Sequence, residues 1–320
     1  MTKIMPILTL GLGFCAALVT SAPAADWPQR PVRIITSFPV GTGGDIAARL
    51  YADRLVQRWN KPVIVENRPG ADGILAVTAG VSAQDSHTLV FINGGPVTSN
   101  RFSHDKLPYD PDADLQPISM GVEASVVASV PASLKVNSIA EFVSHSQQYP
   151  GQLNWSATAG ALDYLVPAFF KSQKIDLQYV GYKEIAPAMQ DLAEGRIHFY
   201  VSALATQLGS IRAGKIIPLA VTNQFRNELV PKVPTVHESG AKELGLEAFV
   251  AFFAPRDLPA DIVAQIGTDI RKVGAEESLK QRLVSSGFVV RTTSSDELKA
   301  IVAAEREKIA SSIAMGLGRR

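Results

Sequence analysis

One cysteine, Cys15, is the only thiol in this chain, so nothing beyond it can form a disulfide, a thiolate nucleophile or a thiolate metal site. Histidine is nearly as sparse. His87, His104, His145, His198 and His237 are scattered, and none falls in a metal-binding spacing such as H-E-x-x-H. The G-x-S-x-G turn of a hydrolase nucleophile is missing as well. Neither sign of charge dominates, with 31 Lys and Arg against 30 Asp and Glu. Such a balance, without a basic stripe, gives no footprint for nucleic acid or an anionic membrane surface. These shortages remove cysteine and metal catalysis and most hydrolase readings. No catalytic residue, cofactor or metal is expected, and there is no internal repeat or low-complexity segment.

Long apolar runs are absent except at the start. Lys3 is the only charge before Asp26, residues 4–19 are mostly apolar, and Ser21-Ala22-Pro23-Ala24-Ala25 supplies small residues. That pattern predicts a secretory signal over residues 1–24, cleaved after Ala24 or Ala25, rather than a span of about 20 apolar residues. The rival is a lipid anchor on Cys15, but bulky Phe14 stands where a small residue is expected. A periplasmic location follows as the expectation. About 295 residues would remain, which is long for one core and comfortable for two lobes.

What is present is alternation. Strand-like runs at 34–38, 63–66 and 88–93 are separated by helical patterns from Asp45 and over 71–83. This predicts a parallel sheet with right-handed crossovers. A single strand over 122–130 is long enough to leave that lobe. Helices over 139–149, 164–174 and 186–194 then alternate with strands over 153–156, 177–180, 197–201 and 217–222. Residues 248–254 read as a return strand, and helices over 259–273, 279–286 and 296–312 close the chain.

The fold class is therefore α/β, with residues 25–126 and 251–320 expected in one lobe and 127–250 in the other. Paired crossings between two such lobes enclose a cleft, where open α/β sheets hold ligands beyond the carboxyl ends of their strands. Each lobe offers one glycine-containing turn into a helix, residues 39–45 and 157–163. Unclaimed backbone N–H groups at such a turn, added to the positive helix end, make an anion site. The same glycines also suit a tight turn with positive φ. The first turn imitates a dinucleotide-binding start, Gly41-x-Gly43 with Glu66 ending the next strand. However, Ile46 occupies the third glycine position and Pro39 interrupts the turn.

Further strings recur in a fixed order. They are Phe38-Pro39-x-Gly41 with Asp45, Val65-Glu66-Asn67-Arg68-Pro69-Gly70-Ala71 with Gly73, and Leu107-Pro108-Tyr109-Asp110-Pro111. Gly151-x-Leu153-Asn154-Trp155, Ala186-Pro187-Ala188 after Tyr182-Lys183, and Val233-Pro234-Thr235-Val236-His237-Glu238-Ser239-Gly240 follow. In these the chain resembles the Bug-type solute-binding proteins of tripartite tricarboxylate transporters. The resemblance implies a type II periplasmic binding fold, two α/β lobes with a ligand cleft and hinge crossings. It also implies a non-enzymatic role: capture of a small organic acid and delivery to the membrane components of such a transporter. The carboxylate would be held by backbone amides and ordered waters more than by arginine clamps, and a monomer is expected.

Carried over residue by residue, the first ligand loop is Phe38, Pro39, Val40, Gly41, Thr42, Gly43, Gly44 and Asp45. The second is Ser156, Ala157, Thr158, Ala159 and Gly160. Asn93 and Gly94 at one strand end, with Ser202 and Ala203 at the similar place in the second lobe, are expected as walls. Asp45 is expected to be the N-cap of its helix and to organise the loop. Asp163 keeps two readings, a helix cap or a cleft residue that repels a second carboxylate and pairs with an ammonium. Both loops depart from the family's pattern: Val40 replaces a proline, Thr42 interrupts a glycine run, and Tyr164 stands in place of a histidine. These departures bear on the ligand. The alternatives are an amino acid or amine-bearing acid, or presentation to a periplasmic sensor instead of a carrier.

Overall fold

The computed structural model describes residues 27–182, 184–284 and 287–318, so the expected signal segment and its cleavage point lie outside the described residues. The first half of the chain forms β1 (Val32–Thr36), α1 (Gly43–Trp59), β2 (Val63–Asn67), α2 (Ile74–Val81), β3 (Thr88–Asn93), α3 (Asn100–Ser103) and β4 (Leu115–Ala124). Then come β5 (Val126–Pro131), α4 (Ile139–Gln148), β6 (Leu153–Ala157), α5 (Leu162–Gln173), β7 (Leu177–Tyr179), α6 (Ile185–Ala193), β8 (Phe199–Ala203), α7 (Leu204–Arg212) and β9 (Ile216–Val221). The chain ends with β10 (Ala248–Pro255), α8 (Ala260–Gly274), α9 (Glu277–Val284), β11 (Phe288–Val290) and α10 (Ser295–Ala314). No helix among the described residues is long and apolar enough to cross a membrane.

Two sheets result, ordered β11-β4-β10-β3-β1-β2 and β7-β6-β8-β5-β9. They form two α/β lobes, as the alternation predicts, but neither sheet is purely parallel. β1 pairs in parallel with β2 and β3, whereas β10 runs antiparallel to both β3 and β4. In the second sheet β6 is parallel to β7 and β8, and β5 is antiparallel to β8 and β9. The antiparallel strands are those on which the chain crosses between lobes, so it enters each sheet against the direction of its βαβ units.

Helices cover both faces of the first sheet, which is why its strands read as continuous apolar runs. Ile34, Leu89 and Phe252 face Tyr51, Leu55 and Ile266, while their neighbours Ile35, Val90 and Phe253 face Val77 and Leu298. Tyr51 lies fully buried on the first of these faces, its hydroxyl donating to the Gly121 carbonyl at 2.7 Å. The second lobe packs around Phe142, Trp155, Phe169 and Phe199, with the Phe142 and Phe199 rings stacked at 4.6 Å.

The single strand expected over 122–130 is instead two. β4 ends at Ala124, β5 begins at Val126, and Ser125 alone carries the chain from one sheet to the other. Its carbonyl accepts from Leu204 N at 2.7 Å and its hydroxyl accepts from Asn227 Nδ2 at 2.6 Å, so the crossing is held from the second lobe. The return crossing runs beside it. Leu246 N donates to Thr222 O, Thr222 N donates to Val126 O, and Ala248 pairs with Ala124.

Candidate functional site

At the carboxyl end of β1 the chain turns through residues 37–42 into α1. Thr42, not Asp45, is the N-cap, and its hydroxyl donates back to the Pro39 carbonyl at 2.7 Å. Asp45 sits in the first helical turn, 2% exposed, and works as the loop's organiser. Its carboxylate accepts from Gly41 N at 2.9 Å, Arg49 Nε at 3.1 Å and Asn67 Nδ2 at 2.7 Å. Asn67 also donates to the Phe38 carbonyl at 2.9 Å, which ties the end of β2 to the turn. Burial works to raise the Asp45 carboxyl. The hydrogen bonds from Arg49, Asn67 and Gly41 outweigh it and hold the group below the usual carboxylate range.

The second lobe repeats the device. After β6, Gly160 adopts φ +116° and its N–H donates to Asp163 Oδ2 at 3.0 Å. Ala161 is the N-cap of α5, so Asp163 is the second residue of its helix, as Asp45 is the third of α1, and neither caps it. Each turn thus spends a glycine N–H on its own aspartate. In the second turn the N–H groups of Ala159, Ala161 and Leu162 make no hydrogen bond among the described residues. They stand at the positive end of a 12-residue helix.

A cavity of about 340 Å³ lies between the lobes at the carboxyl ends of β1, β3, β6 and β8. Of the residues expected at the site, Phe38, Asn93, Gly94, Thr158, Ala159, Gly160 and Ala203 line it. Pro39, Val40, Gly41, Thr42, Gly43, Gly44 and Asp45 stand behind Phe38, outside that lining, and Val40 is 74% exposed. Gly44 has a defined part there: a Cβ on it would fall 2.3 Å from Phe38 Cγ, so only glycine lets the ring lie on the helix. Ser156, Ala157 and Ser202 are buried in their strands, with the Ser202 hydroxyl hydrogen-bonded to Gln207 Nε2 at 3.0 Å. Asp163 faces an adjoining, more polar cavity of about 490 Å³ that shares Asn93 and Gly160 with the first and also holds His104 and Asp72.

The two-lobed fold agrees with what is found among known proteins. The model of the tripartite tricarboxylate transporter family receptor matches residues 47–316. The chain belongs to this receptor family. BugT of Bordetella pertussis is 26% identical over 313 residues, covering 96% of this chain and 95% of BugT. Rpa4515 of R. palustris, solved with adipate, is 29% identical with a TM-score of 0.76, covering 92% of this chain and 99% of that one. MatC of Rhodopseudomonas palustris, solved with malate, is 26% identical with a TM-score of 0.71, covering 90% of this chain and 100% of that one. The family is one of transporter receptors.

Sequence reading missed part of this receptor's cavity wall. Phe249 and Phe288 close it from the return crossing and from β11, and Glu247 and Glu305 bring carboxyl groups to it. Glu247 is matched by Arg291 at 2.8 Å, and the same guanidinium reaches Glu123 at 3.1 Å. Glu305 is different: it is buried, with Thr98 as its hydrogen-bonding neighbour. A signal for it was available. Leu298, Val302, Glu305 and Ile309 all lie on the buried stripe of α10, so an acid occupies an apolar-face position. Among the described residues no cluster of three or more His, Cys, Asp or Glu is placed to hold a metal ion.

Proposed function

We propose that this receptor captures a small carboxylate-bearing organic acid in the interlobe cavity, in the periplasm, and delivers it to the membrane components of a tripartite tricarboxylate-type transporter. One observation carries the reading. The unclaimed N–H groups of Ala159, Ala161 and Leu162, at the start of α5, border a largely apolar cavity at the carboxyl ends of both sheets. A carboxylate docked there takes charge-assisted hydrogen bonds worth roughly 1.5–3 kcal/mol each. Its carbon chain lies against Phe38, Phe249 and Phe288. That adipate and malate occupy relatives of the same fold supports the reading.

The first sheet with its helices moves as one lobe and the second sheet with its helices as the other, hinged where Ser125 and the Thr222–Leu246 pairing cross. The acid favours the closed arrangement only because that arrangement adds the first lobe's contacts to the second lobe's donors. The protein acts as a monomer, without nucleic acid.

A thermal-shift screen of mono-, di- and tricarboxylates, aromatic acids and amino acids tests this. A ligand present at 100 times its Kd stabilises by about 2.7 kcal/mol. A screen in which no acid raises the midpoint, or in which a dinucleotide does, would overturn the reading.

A further inference from the structure

α10 sets a carboxyl group in the cavity wall where its own pattern requires an apolar side chain. Glu305 is 8% exposed, and its Oε1 lies 2.9 Å from Thr98 Oγ1. The same hydroxyl lies 3.0 Å from the Gly94 carbonyl oxygen, which can only accept. One hydroxyl proton cannot serve both contacts. If Thr98 donates to Gly94, Glu305 carries a proton and donates it through Oε1. If Thr98 donates to Glu305, the carboxyl can be ionised. Unless a proton sits on Oε2 that oxygen is an acceptor, as it is in the ionised carboxyl above about pH 7, and among the described residues it takes no hydrogen bond.

Among the described residues no Lys or Arg forms an ion pair with Glu305. On its own helix, Lys308 turns away to donate to the Gly245 carbonyl at 3.0 Å. Glu247, ahead of β10, is held by Arg291, which also serves Glu123. No Lys or Arg is among the described residues that line the cavity, although Glu305 stands between it and a smaller recess of about 250 Å³. Burial pushes the Glu305 carboxyl up to about 7, against the pull of the Thr98 hydroxyl and the Lys308 charge.

We propose that Glu305, positioned by Thr98, sets the ligand class: the end of the ligand remote from its bound carboxylate carries an ammonium instead of a second ionised carboxylate. This rests on the cavity being the carboxylate site proposed above. A second carboxylate would meet an acceptor with an acceptor and a charge with a like charge. An ammonium completes the buried acid's hydrogen bonding and supplies a counter-cation.

The test is calorimetric titration at pH 8 of ω-amino acids of four to six carbons, each beside the dicarboxylate of equal length, succinate, glutarate or adipate. At least one amino acid is expected to bind about ten- to a hundredfold more tightly than its dicarboxylate partner. Glu305→Gln keeps an acceptor for Thr98 and turns an amide N–H toward the ligand, so it should invert that order. Thr98→Val, which removes only the positioning hydroxyl, should shrink the preference without inverting it. Dicarboxylate preference in the unaltered protein, or an order that Glu305→Gln leaves unchanged, overturns the proposal and leaves the receptor reading intact. Binding of neither series overturns the proposal, and the receptor reading is then overturned only if the wider acid screen fails as well.

Discussion

Replacing Gly44 with alanine tests how α1 acts on the cavity through Phe38 without lining it directly. The added Cβ would lie 2.3 Å from Phe38 Cγ and 2.4 Å from both Cδ atoms. Carbon atoms settle at roughly 3.5–4.0 Å, so the ring must move by more than about 1 Å. Overpacking of this kind costs about 1–3 kcal/mol, and the loss of a helical glycine returns up to about 1 kcal/mol. A net loss of about 1–2 kcal/mol is expected in urea unfolding, with an unchanged m-value. Because Phe38 lines the cavity, affinity for the tightest-binding acid should fall as well. Gly41→Ala is the control. Nothing lies within 4 Å of its Cβ position, so its cost, about 1–2 kcal/mol, comes only from φ +81°, and Phe38 stays where it is. A Gly44→Ala protein that is as stable as its parent and binds equally well would refute the reasoning.

Other outcomes follow from the same contacts. Glu305 stabilises the fold while it is protonated. That contribution is complete below its ordinary value of 4.5 and is lost as pH rises through about 7. Urea titrations should therefore show the parent losing about 3 kcal/mol relative to Glu305→Gln between those limits. A pH-independent difference between the two proteins would contradict this. Gly160→Val should abolish binding and cost about 1–2 kcal/mol, because φ +116° is closed to a branched side chain. Asp45→Ala should cost about 1–3 kcal/mol and slacken residues 38–42, read as faster amide exchange at Gly41, since three hydrogen bonds lose their acceptor.

Much of this architecture is legible without coordinates. Parallel units such as β1–α1–β2 announce themselves through local patterns, and α4, α8 and α10 start within a residue or so of where periodicity puts them. Antiparallel β10 is legible too, at Ala248–Pro255 where the apolar run reads as a return strand, but β4 and β11 are not. β4 begins at Leu115 and contains Pro117 and Gly121, residues that argue against a strand. Its pairing with β10 is irregular between Val250 and Ala251 and again between Phe252 and Phe253, so the ladder accommodates them as bulges. Gly121 lies where a Cβ would press on Phe91 at 2.9 Å, a constraint set 30 residues away in the chain. β11, only three residues long, exists because it pairs with β4, and no local signal marks it.

The candidate site divides in the same way. The glycine turns were legible because turn chemistry is local. The consumption of the Gly41 and Gly160 N–H groups by Asp45 and Asp163 was not, since spacing alone cannot tell a cap from a residue in the first helical turn. Glu305 reaches the cavity from 207 residues beyond its partner Thr98, and only the packing of α10 across the first sheet brings them together.

The most direct test of the central claim, that the interlobe cavity holds a carboxylate at the start of α5, is a crystal structure with the tightest-binding acid. The account expects that carboxylate within hydrogen-bonding distance of the Ala159, Ala161 or Leu162 N–H, with the rest of the molecule against Phe38 and Phe249. An acid seated elsewhere on the protein, or in this cavity with its carboxylate turned away from α5, would contradict it.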